Sequence, residues 1–158
     1  MERVNQIFFH PKYQAYFHEI QSLEADREFC GHTIEHFLDV ARLAYILVIE
    51  EGLVVGKEVI YAAALLHDIG RYLEYTKEVP HEEGSAMLAR ELLPECGFSK
   101  EEQAFIIEAI LEHRENPETG TFSGILYRAD KLSRNCFSCP AEETCRWPEE
   151  KKNVRLQL

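Results

Sequence analysis

The sequence lacks long apolar runs and has few basic residues. No apolar stretch in its 158 residues is long enough to cross a bilayer, and residues 1–17 lack the apolar segment of a secretory signal. These absences predict a cytoplasmic protein without a membrane partner. Lysine and arginine number 17 against 28 acidic residues, which gives a formal net charge of -11. Because nonspecific nucleic-acid binding depends on cationic side chains at phosphates, this charge argues against a nucleic-acid partner.

Disulfide pairing of all cysteines is also excluded, because their number, five, is odd. Cys136, Cys139 and Cys145 lie within ten residues, and the C-x2-C spacing of the first two lets one turn direct two sulfurs at a metal. A zinc or iron–sulfur site is one interpretation, with Cys30 or Cys96 as a fourth ligand. Ordinary reduced thiols, or a disulfide in oxidising conditions, are the alternative.

Repeats, linkers and alternating strand patterns are absent, so we expect a single domain over residues 1–158. Apolar residues recur at three- and four-residue spacing along most of the chain, which predicts an all-α bundle of about six or more helices. Ser99 followed by Glu102 forms a capping-box pattern. The predicted helices cover 12–28, 34–49, 57–70, 81–97, 99–115 and 122–136.

Histidine and aspartate residues fall at inward positions or ends of these helices. His67 and Asp68 end the most apolar helix, where a carboxylate without a partner would be costly to bury. A single buried histidine is more often a hydrogen-bonded core residue, but six such groups on different elements suit a metal centre in a bundle core. Nitrogen and carboxylate ligands favour Fe, Mn, Co, Ni or Zn. The six are His36, His67, Asp68, His81, His113 and Asp130.

Five segments resemble, in order and spacing, the motifs of the HD superfamily of metal-dependent phosphohydrolases. They read GHTIEHFLDVARLA, AALLHDIGR, HEEGSAMLARELL, IIEAILEHRE and YRADKLSR, and the resemblance covers about residues 30–135. It implies an HD-type fold, followed by a cysteine-containing tail at 136–158. It also implies that His36, His67, Asp68 and Asp130 form the core ligand set. His81 and His113 match the positions that complete a two-metal centre in some branches of the superfamily.

The resemblance further implies hydrolysis of a nucleotide or other small phosphate ester by a hydroxide that two divalent ions activate. Asp68 would then bridge the ions as a catalytic residue. Arg71 would be the foremost phosphate ligand and a second catalytic candidate, followed by Lys131 and Arg114. A surface ion pair is the alternative for each of these cations.

Two other functions are compatible with the same ligand set. One is a mixed-valence di-iron oxygenase that cleaves a C–C or C–P bond, and the other is a non-catalytic regulatory module. The complete ligand set argues against the regulatory module. Loops 74–80 and 114–122 are expected at the mouth of the site, and His32 is interpreted as a polar residue at a helix start. The identity of the substrate and the oligomeric state stay open.

Overall fold

Every regular element that the structure describes is helical. The computed structural model describes residues 1–114 and 118–156, and this part of the chain has eight α-helices and no strand. The all-α prediction is therefore confirmed. The helices are α1 (Glu2–Phe8), α2 (Pro11–Leu23), α3 (Ile34–Glu50), α4 (Lys57–Leu66), α5 (Arg71–Lys77), α6 (His81–Glu95), α7 (Lys100–Glu112) and α8 (Phe122–Leu132), with short 3-10 helices at Cys136–Ser138 and Glu149–Lys151.

Helix α4 is the centre of the bundle. It contacts α1, α3, α6 and α7, and its residues from Val59 to Leu66 are buried except Tyr61. Because apolar residues cover most of its circumference, α4 gains stability only when other helices surround it. The residues that follow α4 therefore emerge in the middle of the molecule. In the described ranges, no helix has the length and apolarity needed to span a membrane.

Two short helices and several helix ends differ from the sequence prediction. The predicted helix over 57–70 was wrong at its end, since α4 stops at Leu66 and α5 begins at Arg71 after a turn. Helices α1 and α5 were not predicted, because seven residues with one or two buried apolar side chains carry little periodicity. The last and first predicted helices end earlier, at Leu132 and Leu23. The predicted capping box of Ser99 and Glu102 is confirmed.

The turn after α4 lies directly against the first turn of α6. The amide of Gly70 donates a hydrogen bond to Ser85 Oγ at 2.9 Å. A Cβ atom at Gly70 would lie 2.2 Å from the backbone nitrogen of Ser85 and 2.4 Å from the carbonyl oxygen of His81. Glycine is therefore required for this approach, which brings the start of α6 beside His67 and Asp68.

The cysteine-containing tail folds back over the end of α8. The side-chain amide of Asn153 donates hydrogen bonds to the carbonyls of Lys131 and Arg134, at 2.7 and 2.8 Å. These bonds satisfy carbonyl groups that a helix end leaves without partners. Between residues 133 and 156, only Ala141 and Asn153 are buried. The tail is therefore held by polar contacts, with little apolar core of its own.

Candidate metal centre

Asp68 joins two groups of side chains that could each hold a metal ion. The ligand atoms within each group lie within 4.8 Å of one another. Asp68 Oδ2 is 3.2 Å from His67 Nε2, whereas Asp68 Oδ1 is 3.3 Å from His81 Nε2 and 3.7 Å from His113 Nε2. One carboxylate therefore presents a different oxygen to each group. The first group is His36, His67, Asp68 and Asp130, and the second is Asp68, His81 and His113.

Helix ends fix the orientation of two of the histidines. His67 and His113 each follow the last residue of a helix, α4 and α7. Their Nδ1 atoms lie 2.7 Å from the Ala64 carbonyl oxygen and 2.5 Å from the Ile110 carbonyl oxygen. Because a carbonyl oxygen only accepts, each Nδ1 carries the proton and donates it. Each Nε2 therefore directs its lone pair into the site, as metal-binding histidines do.

The donor atoms fit a divalent transition metal. His36 Nε2 and His67 Nε2 are buried, and neither has a hydrogen-bond partner among the described residues. His36 Nε2 is 3.6 Å from Asp130 Oδ1, which is too far for a hydrogen bond. A buried nitrogen without a partner costs about 1–3 kcal/mol. Coordination of a metal ion would use these lone pairs, and imidazole with carboxylate is the donor set that such ions prefer.

The electrostatics of the site favour bound positive charge. Burial raises the pKa of Asp68, but His67 and Arg71 outweigh it and hold that pKa well below its usual range. Burial lowers the pKa of His67, but the two aspartates outweigh it and raise that pKa to about 9. Burial lowers the pKa of His36 to about 3 and that of His81 to about 4. Without a metal ion the site therefore combines ionised carboxylates and neutral imidazoles at His36 and His81 with a charged imidazole at His67. A bound metal ion would displace the His67 proton and take over its positive charge beside the two aspartates.

Three cations contact the aspartates at the edge of the site. Arg71 Nε is 3.1 Å from Asp68 Oδ1, and Lys131 Nζ is 2.6 Å from Asp130 Oδ2. Arg134 Nη2 is 3.2 Å from Asp130 Oδ1. Arg71 and Lys131 thus lie at the ligand groups, as their candidacy for phosphate binding requires. Arg134 was missed, although its position four residues after Asp130 was a usable signal.

The third candidate cation, Arg114, lies farther out. Its guanidinium is more than half exposed and pairs with Glu82 at 3.3 Å. An exposed pair of this kind contributes little to stability. The alternative interpretation, a surface ion pair, describes Arg114 in this structure. The loop that follows, which was expected at the mouth, includes residues 115–117, outside the described residues. Within the other expected loop, 74–80, residues up to Lys77 belong to α5.

His32 also belongs to the site, contrary to its interpretation as a polar residue at a helix start. The side chain is buried, and its Nε2 atom is 3.3 Å from Asp68 Oδ2. Its Nδ1 atom is 2.5 Å from Glu24 Oε1. Burial lowers the pKa of His32, but Asp68 and Glu24 together raise it above its ordinary value. Glu24, at the end of α2, is therefore linked to the metal groups through His32.

We expect Glu24→Gln to lower the free energy of unfolding by about 1–3 kcal/mol at pH 7, because a buried charge-assisted hydrogen bond is lost. Burial raises the pKa of Glu24, but bonds from His32 and Tyr75 lower it to about 2. A depressed pKa stabilises the fold above the ordinary value of 4.5, and this stability is lost as the pH falls towards 2. Urea unfolding between pH 7 and 3 should therefore show the difference from the wild type shrinking below about pH 4.5.

Glu19→Gln provides the matched control for this measurement, since Glu19 is exposed on the same helix. Its effect should stay within about 0.5 kcal/mol at every pH. A deficit in Glu24→Gln that stays constant from pH 7 to 3 would contradict a role for the ionised carboxylate.

The cysteines do not enter either ligand group. All five are free, and in the described parts of the chain no three cysteine sulfurs lie within 4.8 Å of one another. Cys96, one of the two candidates for a fourth ligand, is buried behind α6 next to Gly97. The cysteine site stays a prediction.

Comparison with known proteins agrees with this geometry. The family model of the HD domain matches residues 33–135. An uncharacterized protein of Clostridium beijerinckii is 42% identical over 156 residues, which is 99% of both chains. Ribonuclease Y of Oleidesulfovibrio alaskensis is 32% identical over 106 residues, which is 66% of this chain but 18% of that protein. The crystal structure of a predicted HD superfamily hydrolase from an uncultured Thermotogales bacterium has a TM-score of 0.59 at 30% identity, and the match covers 91% of this chain and 83% of the other.

An α-helical bundle that buries groups of histidine and aspartate side chains is the architecture of a class of helical domains with candidate metal sites. The chain belongs to the HD domain family. At the superfamily level, these similarities group the chain with the metal-dependent HD phosphohydrolases. The matched range, 33–135, ends just before Cys136, so the tail lies outside the shared domain.

Proposed function

We propose that this protein hydrolyses a small phosphate ester, such as a nucleotide, with two divalent transition-metal ions. The observation that carries the proposal is a cavity of about 770 Å³ that His81, His113 and Asp130 line together with cations. This volume suits a small-molecule ligand. A wall rich in cations beside metal ligands favours an anionic group such as phosphate. The cationic side chains of the wall are Arg71, Arg114, Lys131, Arg134 and Lys151.

The two ligand groups would divide the ions between them. One ion would be bound by His36, His67 and Asp130. The other ion would be bound by His81 and His113, and Asp68 would contribute a ligand to both ions. Bound ions would lower the pKa of a coordinated water towards neutrality and offset the charge on the phosphate oxygens. Fe, Mn, Co, Ni and Zn all accept this donor set.

The chain's own residues would orient Asp68 and bind the ester. Arg71 and His32 contact opposite oxygens of Asp68, which fixes the plane of its carboxylate. Lys131 and Arg134 lie in the cavity wall and can donate hydrogen bonds to phosphate oxygens. Trp147, in the same wall, stacks on Arg134 with the guanidinium 4.2 Å from the ring centre. It supplies an apolar surface for the organic part of the ester.

An assay of metal-loaded protein tests the proposal. The protein would be incubated with a panel of nucleotides and other phosphate esters, while phosphate release and oxygen uptake are followed in parallel. The proposal expects metal-dependent phosphate release without oxygen uptake. Iron-specific oxygen uptake without phosphate release would instead assign the di-iron oxygenase. If metal-loaded protein showed neither phosphate release nor oxygen uptake, the result would favour the non-catalytic regulatory module.

We expect Lys131→Gln to lower kcat/KM for the ester by about 10–100-fold, because a hydrogen bond to a charged group contributes about 1.5–3 kcal/mol. The loss should fall mainly on KM if the ammonium binds the phosphate equally in the ground and transition states. Lys100→Gln, an exposed lysine at the start of α7, provides the control and should leave both constants unchanged. An unchanged kcat/KM in Lys131→Gln would contradict contact between Lys131 and the phosphate.

A further inference from the structure

A second cavity, of about 510 Å³, lies between the first ligand group and the cysteine-containing tail, with His36 in its wall. It adjoins the first cavity, since Arg71, Arg134 and Trp147 line both. Cys30, Cys136 and Cys145 also line this cavity. The fourth thiol, Cys139, lies with Cys136 in the wall of a neighbouring surface depression.

The four cysteines come from two distant segments that pack together. Cys30 lies in the connection between α2 and α3, and the other three lie in the tail after α8. The segments are joined by a hydrogen bond of 3.1 Å from Thr144 Oγ1 to Glu28 Oε1. Burial raises the pKa of Cys30, and repulsion from Cys136 and Cys139 raises it further. The fold therefore brings the thiols of both segments within electrostatic range of one another.

Consecutive tight turns present the tail cysteines. The amide of Cys139 donates to the Cys136 carbonyl at 3.1 Å, and the amide of Cys145 donates to the Glu142 carbonyl at 3.3 Å. The backbone amide of Glu142 in turn donates a hydrogen bond to the Cys139 carbonyl at 3.2 Å. With so little buried apolar surface in this segment, the hydrophobic effect stabilises its turns weakly. Segments of this kind are commonly stabilised by a bound metal.

We propose that Cys30, Cys136, Cys139 and Cys145 together bind an iron–sulfur cluster. A single zinc ion, with Zn–S bonds near 2.3 Å, would hold sulfurs roughly 3.8 Å apart in a tetrahedron. In the described ranges, no three cysteine sulfurs meet even a 4.8 Å limit. A four-iron cluster accommodates wider spacing, because each of its four irons binds a different thiolate.

The charge of the cavity wall supports the same assignment. Four arginines line the cavity beside the thiols: Arg27, Arg71, Arg134 and Arg146. Four thiolates around a cluster carry net negative charge, which these guanidinium groups would offset. The side chain of Arg27 also donates to the Cys30 carbonyl at 2.9 Å, which holds that loop against the cavity. The assignment of this site does not rest on the proposed hydrolysis, although the two cavities share Arg71, Arg134 and Trp147.

Acid-labile sulfide is the decisive measurement, because an iron–sulfur cluster contains inorganic sulfide and a metal ion bound by histidine and aspartate does not. Iron, zinc and sulfide would be measured in the full chain after anaerobic purification and anaerobic reconstitution with iron and sulfide. We expect bound sulfide with matching iron and visible absorption. Cys139→Ser and Cys145→Ser should each lower sulfide at least tenfold. His113→Ala, which alters the other metal site, and Cys96→Ser, which alters the fifth cysteine, should each retain it.

Other results would overturn the assignment. One zinc per chain, lost in Cys139→Ser but kept in His113→Ala, would show a four-thiolate site and refute the cluster. Absence of sulfide together with absence of any metal that Cys139→Ser removes would refute the metal site as a whole. A mass two hydrogens lower, which reveals a disulfide, would refute it as well. Far-ultraviolet circular dichroism of both serine variants would show that helix content is retained, so that a loss of sulfide reports on ligation.

Discussion

Replacing Asp68 with asparagine is expected to remove metal from both ligand groups and to lower ester hydrolysis about a thousandfold. The two oxygens of this carboxylate face different groups, at 3.2 Å from His67 Nε2 and 3.3 Å from His81 Nε2. Asparagine offers one neutral oxygen, so only one group can keep this ligand. The second group loses its only carboxylate, and the first keeps only that of Asp130. Metal ions contribute several kcal/mol to such reactions, and about 1.4 kcal/mol corresponds to a tenfold change in rate.

Mass spectrometry of protein purified without added metal measures the effect. After iron that matches acid-labile sulfide is subtracted, the wild type should carry about two ions per chain, one for each ligand group. Asp68→Asn should carry less than about half an ion at these groups. His81→Ala should keep about one, because the group of His36, His67, Asp68 and Asp130 stays complete only in that variant. Asp39→Asn is the matched control, since Asp39 lies on α3 outside both ligand groups and pairs with Arg42 at the surface. If Asp68→Asn retained two ions, the carboxylate of Asp68 would not be a ligand that both metal ions require.

The six metal-ligand candidates were predictable because helical periodicity and helix ends are local properties. His36 shares a face with apolar residues of α3, and Asp130 is embedded in the apolar sequence of α8. His67 and Asp68 interrupt an apolar run that a buried helix requires. The structure places all six in two adjoining groups. Their roles as ligands stay a prediction that the metal analysis tests.

The end of α4 could not be read from periodicity. Apolar residues continue to Ile69, so the pattern extends the helix to Gly70. In the structure, the His67 side chain donates to the Ala64 carbonyl, which would otherwise accept from the backbone of a continuing helix. Competition of this kind depends on side-chain geometry. It also creates the turn that starts α5, a helix with a single buried apolar residue, Leu73.

Contacts between distant segments were equally hidden. His32 reaches Asp68 because Glu24, on another helix, holds the opposite side of its ring. Trp147 joins the cavity wall because Asn153 anchors the tail on the end of α8. No local pattern indicates where a tail folds back. The ligand positions were therefore accessible from sequence, whereas the cavity that would select the substrate was not.

The absence of a side chain at Gly70 lets the first turn of α6, which carries His81, approach the turn that carries His67 and Asp68. The Gly70 backbone, with φ of -75° and ψ of -4°, is one that alanine adopts without strain. Any effect of Gly70→Ala therefore comes from crowding alone. The new Cβ would lie 2.2 Å from Ser85 N and 2.4 Å from the carbonyl oxygen of His81. Both are backbone atoms of α6, so the helix itself must move away, and His81 moves with it.

We expect Gly70→Ala to lower the free energy of unfolding by about 3 kcal/mol or more and to weaken binding of one ion about 10–100-fold. Urea unfolding and metal titration measure the two effects. Gly56→Ala is the control, because the nearest atom to its new Cβ would be 3.8 Å away. Gly84→Ala, with Gly70 O at 3.2 Å, should be intermediate. Equal stability and equal metal affinity of Gly70→Ala and Gly56→Ala would show that the close approach of α6 does not position His81.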